Sequence, residues 1–138
     1  MLIGRDYEKQ QLTNLCDKDE SQFCAVYGRR RVGKTYLIRE TFKNQFAFTH
    51  TGLYGVPREE QLDEFRLSLK KYGHKTPRLK NWRAAFHALE DLLESLPKNG
   101  KKIVFIDELS WMDTFKSMFV SALENFWNSW ASARKDIV

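Results

Sequence analysis

The chain has 138 residues, 42% of them apolar and 30% charged, with a net charge of +5 and a pI near 9.2. That size suits a single domain burying roughly 70% of the surface its unfolded chain exposes. No stretch approaches the roughly 20 apolar residues of a membrane helix, and the start, Met1-Leu2-Ile3-Gly4-Arg5, lacks the basic and apolar regions of a signal peptide, so no membrane partner is expected. Cys16 and Cys24 are the only cysteines, and no Cys/His cluster has metal-ligand spacing. Two buried or half-buried free thiols in a reduced, cytoplasmic setting are therefore expected. The positive charge suits phosphates, acidic proteins or nucleic acid without choosing among them.

Residues 5–16 read as a polar helix with Leu12, Leu15 and Cys16 on one side. Phe23-Cys24-Ala25-Val26-Tyr27 reads as a buried strand, and a glycine-bounded loop leads from it into a helix from Lys34 to about Lys43. Phe46-Ala47-Phe48-Thr49 is a second strand. Pro57, followed by Glu59 and Glu60, signals the start of a helix carrying Leu62, Phe65, Leu69 and Tyr72, which Gly73–Pro77 ends. A further amphipathic helix carries Trp82, Ala85, Phe86, Leu89, Leu93 and Leu96 and stops at Pro97–Gly100. Ile103-Val104-Phe105-Ile106 is the clearest strand, apolar enough to be covered on both faces as in a parallel sheet. Asp113 is predicted to cap the last helix, whose apolar face runs Phe115, Phe119, Ala122, Leu123, Phe126 and Trp130. A new strand begins at Ile137-Val138. This order predicts an α/β fold with a mostly parallel sheet and flanking helices.

Gly28-Arg29-Arg30-Arg31-Val32-Gly33-Lys34-Thr35 matches G-x-x-x-x-G-K-[ST], the Walker A pattern, at every fixed position. Glycines let the backbone curl so that successive N–H groups face a phosphate, and the following helix presents its positive end to the same anion. Lys34 is expected to reach the β- and γ-phosphates and the Thr35 hydroxyl to coordinate Mg2+. The expected nucleotide contacts extend through Tyr36. Backbone amides line such a cradle, so Arg29 and Arg30 are expected to meet solvent, a partner subunit or acidic neighbours.

The strand at 103–106 ends in Asp107-Glu108. Asp107 is expected to hold the metal, and Glu108 to accept a proton from the attacking water or to orient it. Phosphoryl transfer rests on positioning and charge stabilisation, so a metal ligand and a water-positioning base are the parts it needs. Lys34 and Glu108 are thus the predicted catalytic residues, with Thr35 and Asp107 at the metal.

The wording of three segments is more specific: Ile3-Gly4-Arg5-x-x-Glu8, then Val26-Tyr27 through the phosphate loop, then Phe105-Ile106-Asp107-Glu108-Leu109-Ser110-Trp111-Met112. Together they resemble the archaeal-type ATPase family of archaea and bacteria, which is similar to AAA+ and STAND ATPases. The resemblance covers nearly the whole chain. It implies a P-loop NTPase fold, ATP rather than GTP, and Ile3, Gly4 and Arg5 near the adenine or ribose. It also implies that a strand with a polar sensor residue follows and lies between the phosphate-loop strand and the Asp-Glu strand. The chain stops as that strand begins, so residues 1–138 are expected to form one incomplete domain, truncated before the sensor strand. Members of this class take an arginine finger from a neighbouring subunit, which makes a homo-oligomer or a partner protein part of the expectation; Arg134 is the one candidate in this chain.

Weaker features have plainer readings. Lys70, Lys71, Lys75, Arg78, Lys80 and Arg83 surround a turn and read as a solvated surface, with nucleic acid as an alternative partner. Trp127 and Trp130 are spaced for packing, and Trp111 lies just past the acidic pair. His50, His74 and His87 have no catalytic or metal partner in the sequence. The leading expectation is an ATPase that changes conformation with nucleotide state. The alternatives are a non-hydrolysing nucleotide-binding assembly module and a nucleic-acid-binding module.

Overall fold

The structure, a computed structural model, describes residues 6–26 and 33–138. Ile3, Gly4, Arg5, Tyr27, Gly28, Arg29, Arg30, Arg31 and Val32 lie outside the described residues.

The elements are α1 (Asp6–Cys16), α2 (Lys34–Thr41), β1 (Phe48–Thr51), α3 (Arg58–Lys71), α4 (Trp82–Glu94), β2 (Val104–Asp107), a 3₁₀ turn (Leu109–Met112), α5 (Phe119–Ser129) and a second 3₁₀ turn (Ala131–Ala133). Local chemistry sets their ends. In α3, Glu59 and Glu60 occupy the first turn and Lys70 and Lys71 the last, matching the helix dipole at both ends. Its C-terminus closes as a Schellman motif: Gly73 N–H donates to Lys70 O and His74 N–H to Leu69 O, with Gly73 at φ 91°. Asn81 Oδ1 caps α4 by accepting from Ala84 N–H at 2.8 Å.

β1 and β2 pair in parallel, Phe48 opposite Val104 through Thr51 opposite Asp107, with α3 and α4 in the crossover. On its other side the β2 strand meets the end of the chain. Lys102 bridges Ile137 in parallel, Val138 N–H donates to Lys102 O, and Val104 N–H donates to Val138 O. Gln22 N–H in turn donates to Ile137 O at 2.9 Å. The lateral order is therefore β1, β2, residues 137–138, then the segment leading out of Gln22. This is a mixed α/β arrangement around a small parallel sheet.

Side-chain alternation in β2 divides the core between two faces. Val104 and Ile106 pack on the larger cluster, where Phe65, Leu69, Trp82, Phe86, Leu89 and Phe119 are fully or almost fully buried. Phe105 points the other way, into a second cluster with Leu12 of α1 and Leu37 and Ile38 of α2. β2 is thus covered on both faces, as its four-residue apolar run predicts.

Several expectations need correction. Residues 23–26 form no ladder, and Phe23, Cys24 and Ala25 are exposed, because only Gln22 at their start finds a strand partner. Cys24 is accordingly an exposed thiol, and Cys16 a half-buried one. β1 starts at Phe48 rather than Phe46, since Phe46 turns aside to pack with Phe42 and Phe105. Asp113 ends the first 3₁₀ turn and caps no helix; α5 starts six residues later, where Phe119 N–H donates to Ser117 Oγ. Phe115 therefore precedes the helix and stands 90% exposed. Arg134, whose candidate role these contacts do not decide, donates to Asp136 through both its Nε and an Nη. The cations of residues 70–83 are exposed, and Trp130 stacks on Phe126 and donates to Glu94, which fits the solvated and packing readings. Among the described residues no helix is long and apolar enough to cross a membrane.

Candidate functional site

The same alternation that sends Phe105 toward α2 sends Asp107, two residues on, to the same side of the sheet. α2 begins there. Gly33 adopts φ 85°, a left-handed turn that glycine takes without steric cost, and its carbonyl accepts the first helical bond from Leu37 N–H at 2.7 Å. Leu37 and Ile38 hold the helix against Phe105. The first turn of α2 is thereby fixed over the C-terminal end of β2, and Thr35 Oγ1 donates to Asp107 Oδ2 at 2.7 Å.

Asp107 is 8% exposed. Its second oxygen, Oδ1, accepts from Glu108 N–H at 2.9 Å, so both carboxylate oxygens are engaged. A buried carboxylate needs such donors, because desolvation without them is costly. Gly52, just past β1, donates its N–H to Asp107 O at 2.9 Å. A Cβ built on Gly52 would come within 2.4 Å of Glu108 O and 3.1 Å of Met112 Cγ, so only glycine admits the acidic pair this close to β1.

Glu108 itself lies in the left-handed region, at φ 54° and ψ 42°. For a residue with a Cβ that conformation costs about 1–2 kcal/mol. It turns the chain out of β2 into the 3₁₀ turn, where residues three apart eclipse one another. Glu108 and Trp111 stand in that relation: Trp111 Nε1 donates to Glu108 Oε2 at 2.8 Å, and Trp111 N–H to Glu108 O at 3.1 Å. The Tyr54 ring meets the Trp111 ring edge-on, with centroids 4.4 Å apart. Gln61 of α3, fully buried, accepts from Leu53 N–H and donates to Leu53 O and Trp111 O.

Lys34 and Glu108 both line one cleft of about 590 Å³, together with Asp107 and Trp111. Its remaining wall is largely apolar and includes Phe23, Val26 and Trp127. Tyr36, next to Thr35, is 47% exposed. Of the predicted site residues, the structure thus brings together Gly33, Lys34, Thr35, Asp107 and Glu108. Among the described residues no group of three or more His, Cys, Asp and Glu side chains is placed to hold a metal ion.

Sequence reasoning missed Gly52 and Gln61. Gln61 carried a usable signal, a polar side chain one turn before Phe65 on the apolar stripe of a helix. Gly52 carried none beyond following a strand, because its role depends on a neighbour more than fifty residues away in the chain.

No solved structure is significantly similar to this chain. A curated relative, an uncharacterized protein of Methanocaldococcus jannaschii, is 29% identical over 113 residues, covering 78% of this chain. The match spans 22% of that relative's length. Residues 2–138 match the model of an ATPase domain family described as predominantly from Archaea. With nearly its whole length matched, the chain belongs to this family of ATPase domains.

Proposed function

We propose that the chain is the nucleotide-binding part of a P-loop ATPase that binds ATP with Mg2+ between the first turn of α2 and the acidic end of β2, and that the complete protein hydrolyses ATP to drive a conformational change. The observation that carries this reading is the contact of Thr35 with Asp107 at the head of a helix opened by a left-handed glycine. It joins the phosphate-loop motif to the strand-end acid across 72 residues of chain. The parallel β1–β2 pairing and the position of residues 137–138 between β2 and Gln22 also fit a P-loop sheet.

The residues fit Mg2+. Thr35 Oγ1 and the Asp107 carboxylate are oxygen donors of the kind this hard cation takes, and it commonly binds through one or two protein ligands with the remainder from phosphate and water. When bound, Mg2+ would offset the charge of the phosphate oxygens. Lys34 heads α2, so its ammonium and the helix dipole would act on the same anion. Glu108 borders the cleft as the base that orients water. Ile3, Gly4, Arg5, Gly28, Arg29, Arg30, Arg31, Val32 and Tyr36 complete the proposed nucleotide contacts, and a second subunit or another partner protein supplies the arginine finger.

Phosphate release from ATP, measured for the protein, for Glu108→Gln and for Lys34→Ala, tests this reading. Turnover that Glu108→Gln abolishes while ATP binding persists, and that Lys34→Ala abolishes along with binding, is the expected pattern. ATP binding without turnover in the unaltered protein would instead favour a nucleotide-dependent assembly role.

A further inference from the structure

Glu108 leaves β2 in a left-handed conformation, and a water-orienting base acts only from one geometry. One restraint on it comes from the 3₁₀ turn that follows. Its three-residue period sets Trp111 over Glu108, and the indole Nε1–H meets Oε2 at 2.8 Å. Trp111 is in turn fixed. Its backbone N–H is bonded to Glu108 O, its carbonyl accepts from buried Gln61, and Tyr54 packs edge-on against its ring. Gln61 also grips both polar groups of the Leu53 backbone, so the loop after β1 and the turn after β2 are tied through one side chain.

We infer that Trp111 is a positioning residue for the proposed hydrolysis: its indole N–H holds the Glu108 carboxylate in the orientation that directs water, Tyr54 packs against the indole, and Gln61 holds the Trp111 backbone. This rests on the ATPase reading above. It gives Trp111 a role that apolar packing alone does not supply, since packing needs the ring and positioning needs the N–H donor.

The test compares steady-state ATP hydrolysis by the protein, Glu108→Gln, Trp111→Phe and Trp111→His. Phe keeps an aromatic ring and removes the donor; His keeps a ring N–H but is the poorer apolar match. Positioning of a general base contributes to kcat, so Trp111→Phe is expected to lower kcat roughly tenfold with KM for ATP within about twofold. Trp111→His is expected to recover part of that loss. A merely structural role predicts the opposite order, with Phe the milder change, and that order would overturn the inference. So would a Trp111→Phe kcat equal to that of the unaltered protein. If the unaltered protein hydrolyses no ATP, the ATPase reading fails; if Glu108→Gln hydrolyses ATP as fast as the unaltered protein, the base assignment fails and takes the inference with it; loss in Glu108→Gln beside full activity in Trp111→Phe defeats the inference alone. A readout without Trp111 variants is the Trp111 indole N–H NMR resonance. Glu108→Gln replaces the charged acceptor by a neutral one and is expected to shift it, and an unchanged resonance contradicts the Glu108–Trp111 contact.

Discussion

Thr35 Oγ1 donates to Asp107 Oδ2 at 2.7 Å, joining the first turn of α2 to the last residue of β2. Two side chains 72 residues apart meet because Leu37 and Ile38 seat the helix on Phe105, and Phe105 and Asp107 share one face of the strand. Removing the hydroxyl leaves Asp107 with one donor fewer in a buried setting. Hydrogen bonds to charged groups contribute about 1.5–3 kcal/mol, so Thr35→Ala is expected to lower stability by about 2 kcal/mol without ligand. It is also expected to weaken magnesium-dependent ATP binding at least about tenfold, the equivalent of about 1.4 kcal/mol. Thr35→Ser keeps the hydroxyl and should stay near the unaltered protein in both. Denaturant unfolding and nucleotide titration measure the two effects.

Gly52 defines how close β1 comes to the acidic pair. A Cβ there meets the Glu108 carbonyl at 2.4 Å, and that atom is backbone, so it cannot swing aside. Gly52→Ala is expected to cost about 1–3 kcal/mol, the range for overpacking a tight contact, and to weaken ATP binding by displacing Asp107 and Glu108. Gly55→Ala is the control. A Cβ at Gly55 meets open space, but its φ of 68° disfavours a side chain, so a cost of about 1 kcal/mol with ATP binding intact is expected. Equal losses of ATP binding in the two variants would contradict the close-approach argument.

His50 supplies a pH dependence separate from the proposed chemistry. It is buried beside Phe65, with Nδ1 2.8 Å from Ser68 Oγ. Burial, with a smaller contribution from the Lys71 charge, lowers its pKa from 6.5 to about 4. The folded form therefore binds fewer protons than the unfolded chain between those values, so stability is full above pH 6.5 and falls as pH drops toward 4. The shift corresponds to at most about 3 kcal/mol. Asp136 acts lower: its hydrogen bond from Arg134, aided by Lys102, holds its pKa near 2, below the usual 3.8, so its contribution is lost only as pH falls below about 4. Urea unfolding at pH 7 and pH 4.5 should show the loss in the unaltered protein and a reduced loss in His50→Gln.

The sequence was most legible where local chemistry decides. The helices over Leu62–Leu69 and Trp82–Leu93 announced themselves by period and by their end signals, and Ile103–Ile106 by an apolar run that only a doubly covered strand uses. The sequence also singled out Lys34, Thr35, Asp107 and Glu108, and the fold sets Thr35 against Asp107. What sequence hid was set by tertiary partners. Residues 23–26 have strand composition, but a strand requires a neighbour, and theirs extends only to Gln22. Asp113 has a capping side chain, but it closes the 3₁₀ turn after Glu108, and a further turn in which Ser117 N–H donates to Thr114 O delays α5 to Phe119. Gly52 and Gln61 matter through contacts with a distant turn that no local pattern encodes.

A nucleoside triphosphate with magnesium is proposed to bind at the first turn of α2. Thermal unfolding of the protein with and without Mg-ATP, beside Lys34→Ala, tests it most directly. A ligand at about 100 times its dissociation constant stabilises the folded state by roughly 2.7 kcal/mol, which raises the melting temperature of a chain this size by several degrees. The expected result is a magnesium-dependent rise in the unaltered protein that is absent in Lys34→Ala. A cooperative melt that Mg-ATP leaves unmoved, or a rise that Lys34→Ala retains in full, would contradict the claim.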